Sequence, residues 1–142
     1  GLDPLKDDIH LPGWDASYTQ EEVRELISAY GELGEEGLWK NLEKFLKKVI
    51  PVAEEVGIKM AIHPDDPAWS VFGLPRIIIN KENILRMMKM VDDPHNGVTF
   101  CSGSYGTNLQ NDLPDMIRSL KGRIHFAHIR NIKITGPKCF ED

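Results

Sequence analysis

The sequence predicts an α/β chain of short parallel strands alternating with amphipathic helices. Three observations carry that reading. Apolar runs of strand length recur at residues 58–63 (IKMAIH), 97–102 (GVTFCS) and 123–130 (RIHFAHIR). Polar loops rich in Gly, Pro, Ser or Asp follow them. The stretches between the runs show apolar residues at three- and four-residue spacing, the mark of a helix with one buried face. Strands separated by helices of this length pair in parallel through right-handed crossovers.

The elements follow in order. Residues 1–18 (GLDPLKDDIHLPGWDASY) mix Pro, Gly, Asp and aromatics without a period and read as a draped loop. TQEE at 19–22 has the form of a capping box, with Thr19 as N-cap and Glu22 three residues on, and opens a helix through Val23, Leu26, Ile27 and Tyr30. Gly31, Gly34 and Gly37 are expected to break it. From Leu38 to Val56 the apolar residues Leu38, Leu42, Phe45, Leu46, Val49, Ile50, Ala53 and Val56 define a second helix. Pro51 falls inside it and predicts a kink or a new helical start, and Gly57 closes it. Ile84, Leu85, Met88 and Val91 place a helix over 80–91. Asp112 as cap, Pro114 in the first turn and Gly122 beyond the end place another over 111–122. A single domain over 1–142 is expected, with 1–37 an irregular segment plus a short helix and 38–142 the βα units.

Composition narrows the function classes. The chain has 142 residues, 41% hydrophobic and 27% charged, enough for one packed core. Seventeen basic residues stand against 22 acidic ones, a net charge of −5, which gives little attraction for nucleic acid or an anionic membrane. No window approaches the roughly 20 apolar residues of a membrane helix, and the N-terminus lacks a signal-peptide layout. A cytoplasmic protein with neither nucleic-acid nor membrane partners is the expectation, and self-association stays open. Two cysteines in unlike contexts make no disulfide framework.

In parallel sheets ligands gather beyond the carboxyl ends of the strands. Each apolar run here finishes on or near a side chain able to bind a metal: His63, Cys101 and His128. Neighbouring strands lie about 4.8 Å apart, so such groups at matched ends converge within reach of one ion. Imidazole and thiolate together suit Zn, Fe or Co, and an added carboxylate would extend the choice to Mn. Each residue alone has a plainer reading, since histidines often sit half-buried and cysteines usually fill space. Alternation along RIHFAHIR puts Phe126, His128 and Arg130 on one face and His125, Ala127 and Ile129 on the other. His125 is therefore expected to face the helices in a structural role. Arg130 could grip a substrate carboxylate through its fork or pair with a neighbouring loop, and both readings stand. The loop CSGSYGTN (101–108) offers Ser102 and Ser104 to a polyhydroxy ligand, and HPDDPAWSVFGLPR (63–76) is either a lid carrying Arg76 or a packed excursion.

These segments, MAIHPDDP with GLPR, FCSGSYG, RIHFAHIRN, and before them LPGW with LWKNLEKFLKKVIPVAEEVG, together resemble the mannonate dehydratase family over about residues 9–133. The resemblance implies a (β/α)8 TIM barrel of the xylose-isomerase-like type, of which this chain supplies a central portion with about three parallel strands. It implies Mn2+ or Fe2+ at the barrel mouth, held by His63, Cys101 and His128. It implies dehydration of a small sugar acid, D-mannonate, to 2-keto-3-deoxy-D-gluconate, with Arg130, Ser102, Ser104 and Arg76 near the substrate. The family's further Asp ligand and its acid–base residues are expected downstream of this chain, which is then inactive by itself. The rivals are another metal-dependent barrel of this type, a sugar isomerase or an abasic-site endonuclease, and a metal-free fragment. Carboxylate-rich ligation in the isomerase fits Cys101 poorly, and the endonuclease calls for a basic surface that this chain lacks.

Overall fold

A computed structural model describes residues 19–142. The predicted draped loop at 1–18, with LPGW, lies outside the described residues. Helix α1 (Gln20–Glu55) begins at the Thr19 capping box, in which Glu22 accepts from the Thr19 amide and Thr19 from the Glu22 amide. Of the three expected breaks only Gly34 leaves helical geometry, at φ 65°, ψ 178°, so two helical pieces meet there. No new helical start occurs at Pro51. Helical backbone continues to Glu55, and Gly57 follows at φ 69°. Pro51 is exposed, where the carbonyl it leaves unpaired can meet water.

Strands β1 (Met60–Ile62), β2 (Asn96–Cys101) and β3 (Ile124–His128) form a parallel sheet in the order β1-β2-β3. Helix α2 (Lys81–Met90) joins the first pair, capped by Asn80, whose side chain accepts from the Asn83 amide at 2.9 Å. Two helices join the second pair. The polar segment after Cys101 is a short helix, α3 (Ser102–Gly106), not the loop expected, and α4 (Leu113–Ser119) starts at the Asp112 cap with Pro114 in its first turn. A hairpin of β4 (Lys133–Gly136) and β5 (Cys139–Glu141) follows, unforeseen in the sequence, turning through Pro137 and a left-handed Lys138. Trp69 meets Phe140 of this hairpin edge-on at 6.1 Å between ring centroids.

The core lies on one face of the sheet. Val98 and Phe100 of β2 pack with Trp39, Leu46 and Ile50 of α1, Ile84, Met87 and Met88 of α2, Tyr105 of α3, Met116 of α4 and Leu120 just beyond it. Arg86 lies 4.2 Å over the Trp39 ring and forks onto Glu36 at 2.9 and 3.1 Å, closing the seam between α1 and α2. Every residue of β2 is buried, whereas β1 and β3 are the outer strands of the sheet among the described residues, with Phe126 61% exposed in the middle of β3 and Ile129 82% exposed just beyond it. None of the described helices is long and apolar enough to cross a membrane.

Two substitutions separate packing from capping. Met87→Ala empties a fully buried position and should cost about 2–5 kcal/mol. Asn80→Ala removes one cap and should cost about 1 kcal/mol. Denaturant unfolding of the intact protein should rank them in that order.

Candidate metal centre at the strand ends

The carboxyl ends of the three strands carry the three residues singled out in the sequence. His63 follows the last residue of β1, Cys101 ends β2 and His128 ends β3. Their ligand atoms all lie within 4.8 Å of one another, with Cys101 fully buried and both imidazoles exposed. Cys101 Sγ stands 3.4 Å from His128 Nδ1, and the His63 and His128 rings are 5.9 Å apart.

The donor chemistry fits one ion. Bonds of about 2.3 Å to sulfur and 2.1 Å to nitrogen place adjacent ligand atoms about 3.1–3.6 Å apart, which matches the Cys101–His128 separation. His63 Nδ1 lies 2.8 Å from the carbonyl oxygen of Pro64, which can only accept, so Nδ1 carries the hydrogen and Nε2 is left to bind. Cys101 Sγ accepts from Ser104 Oγ at 3.1 Å and from the Ser104 amide at 3.4 Å, donors suited to a thiolate ligand. Residue types alone could not reveal this use of Ser104. It became visible once residues 102–106 coiled into a helix that turns the Ser104 donors back onto the sulfur.

The remaining candidates are engaged with the protein. Ser102 Oγ donates to the Arg130 carbonyl at 2.7 Å and accepts from the Arg130 amide at 3.0 Å. The Arg130 guanidinium pairs with Asp66 and lies 3.0 Å from Asp142, so the loop-pairing alternative is the one present. The hydrogen bond to Asp66 is the main reason the Arg130 pKa lies above its ordinary value. Arg130 also packs on Gly103, where a Cβ would come within 2.4 Å of its Nε. Arg76 donates to the Pro67 carbonyl at 2.7 Å, within its own loop.

Asp65, which the sequence reading left without a role, organises the loop. Its carboxylate accepts from the Ile77 and Ile78 amides at 3.1 and 2.9 Å, and its own amide donates to the Ile78 carbonyl. With Ala68 N–H bound to Thr107 Oγ1 at 2.8 Å, the segment is a packed excursion braced from both ends. Tyr105 is fully buried beside Phe100. Burial, reinforced by Cys101 and Asp65, raises its phenol pKa well above the ordinary value.

His125 is not where strand alternation puts it. The β2–β3 register shifts between Val98 and Thr99, and His125 is the extra residue of β3 at that bulge. Its ring occupies the space a Cβ on Gly97 would fill, and Gly97, Thr99 and Cys101 share one face of β2. His125 therefore lies on the same face as the ligand cluster.

Comparison with known proteins gives the family of the chain. The family model described as D-mannonate dehydratase (UxuA) matches residues 4–142. Mannonate dehydratase 2 of Halalkalibacterium halodurans is 55% identical over 98% of this chain and 41% of its own length. Mannonate dehydratase of Thermotoga petrophila is 58% identical over 92% of the chain and 36% of its length. The crystal structure of mannonate dehydratase from Streptococcus suis serotype 2 superposes with a TM-score of 0.74 at 44% identity, over 82% of this chain and 35% of that one. The chain thus spans about two-fifths of the length of the curated relatives it matches, and over that span it belongs to the D-mannonate dehydratase family.

Proposed function

We propose that the protein carrying this chain is a cytoplasmic, metal-dependent hydro-lyase that removes water from D-mannonate to give 2-keto-3-deoxy-D-gluconate, in hexuronate (glucuronate) catabolism. The convergence of His63, Cys101 and His128 at three strand ends, in a chain of this family, is the observation that carries the reading. The rest of the protein would complete a (β/α)8 barrel around the sheet. Mn2+ or Fe2+ is the proposed ion, since imidazole with thiolate suits Fe2+ and a further carboxylate would admit Mn2+.

The reaction takes the proton α to the carboxylate and expels the hydroxyl of the next carbon, leaving an enol that becomes the 2-keto product. A bound divalent ion supplies Lewis-acid stabilisation for the negative charge that develops on the substrate's oxygens. His63, Cys101 and His128 hold that ion. Ser104 acts through the Cys101 sulfur, to which it donates. Arg130 offers its guanidinium at the rim, where the substrate's carboxylate would take the place of Asp142 beside Nε. Asp66 and Ser102 fix its head and its backbone, so it meets the sugar acid already oriented. Ser102 and Arg76 shape the substrate's surroundings through Arg130 and the 63–79 loop. The base and the acid are not among these residues.

In the full-length enzyme His63→Ala and Cys101→Ser should each lose bound Mn2+ or Fe2+, measured by elemental mass spectrometry, and should lose D-mannonate dehydration with it. A variant that keeps both would remove its residue from the ligand set. The full-length parent must also dehydrate D-mannonate, or the substrate assignment falls.

Ser104→Ala should weaken metal binding by about tenfold, the lower end for groups that hydrogen-bond a ligand. Ser102→Ala should leave metal affinity unchanged and raise KM for the sugar acid. Metal titrations beside steady-state kinetics distinguish the two serines.

A further inference from the structure

The His125 ring reaches from β3 over the middle strand and places Nδ1 2.6 Å from the carbonyl oxygen of Met60 on β1. These two strands are not hydrogen-bonded neighbours. The crossing is open because residue 97 is glycine. A Cβ there would stand 2.5 Å from Cε1 and 2.6 Å from Nδ1 of the ring. A carbonyl oxygen only accepts, so Nδ1 must carry the hydrogen. Nε2 is buried without a hydrogen-bond partner among the described residues, so the ring is held by this contact and by packing.

The position of the contact gives it a purpose. Met60 lies three residues before His63, and His125 three residues before His128. At the level of this contact the β2–β3 register shifts, His125 being the extra residue, so ladder pairing alone transmits the height of one outer strand to the other imperfectly. A direct tie between the outer strands below the strand ends compensates for that shift.

We propose that the His125–Met60 hydrogen bond, admitted by Gly97, is a staple that sets β1 against β3 and so positions His63 and His128 relative to Cys101. His125 is a positioning residue and not a ligand. The inference rests on the metal reading above, and its test separates the two.

The full-length enzyme is prepared metal-free and titrated with Co2+, whose ligand-field and thiolate charge-transfer bands report ligand geometry. His125→Leu removes the donor, and His125→Asn keeps an N–H near the place of Nδ1. The expected result is affinity about tenfold weaker with shifted bands in His125→Leu, recovered to within about threefold in His125→Asn, a loss of the size seen when metal-site supporting groups are removed. A folded His125→Leu protein with parental affinity and spectrum overturns the staple. Should that variant not fold, the 15N shifts of the parent's imidazoles decide. An Nδ1–H form of His125 supports the staple, and an Nε2–H form overturns it. A parent that binds no Co2+ overturns the metal reading itself and the staple's purpose with it. A parent that binds beside an unchanged variant overturns the staple alone.

Discussion

Backbone pairing of β2 with the strands on either side determines what can happen at their carboxyl ends. A strand that slips by one residue turns every side chain to the opposite face, so the register decides whether Cys101 and His128 meet or point apart. The pair Cys101 with His128 ends one ladder, and Ile62 with Val98 ends the other, one residue short of His63. Buried packing of Val98 and Phe100 against α1, α2, α3 and α4 holds β2 in that register. A core on one face of the sheet thus secures a site at its end, although no ligand residue belongs to the core's apolar cluster.

Rigid loops extend the same frame outward. Asp65 ties the start of the 63–79 segment to its end, Thr107 anchors its middle to α3, and Arg130 joins it to the end of β3 through Asp66. The Ser102 hydroxyl then links β3's exit to the start of α3. Each tie uses a group that would otherwise be an unpaired donor or acceptor near the site, so satisfying buried polarity and fixing geometry are one act. Arg130 and Asp66 remain partly accessible, where an incoming carboxylate could compete for the guanidinium.

Strand runs, the caps at Thr19 and Asp112 and the three ligand candidates were legible in the sequence because each depends on local pattern: alternation, a capping residue ahead of a helical period, and a polar residue at the end of an apolar run. The features that escaped depend on three-dimensional register. The bulge at His125 inverts its face and follows from how β3 meets β2, which no period in RIHFAHIR encodes. Ser104 looked like a substrate hydroxyl until α3 turned it onto sulfur. The hairpin through Pro137 had a Gly-Pro turn signal at residues 136–137, but strands of four and three residues are too short to show alternation. Pro51 passed through a helix because its exposed position leaves the carbonyl one turn back to solvent, a matter of orientation and not of residue type.

The three ligand candidates are far apart in sequence and adjacent only in the paired sheet, so the site and the sheet are coupled by necessity. An unfolded chain offers no such cluster, and whatever cation the cluster binds must stabilise the paired strands over separated ones. At a free cation concentration of about a thousand times Kd that stabilisation is about 4 kcal/mol, a substantial part of an ordinary domain's margin. The coupling is strongest for β1 and β3, which contribute the exposed imidazoles and each pair with one strand among the described residues, whereas β2 is held on both sides by them and contributes the buried sulfur. The His125–Met60 contact lies across those same two outer strands. Fixed register at the base of the sheet and a shared ligand at its end would therefore act on the same degree of freedom from opposite ends.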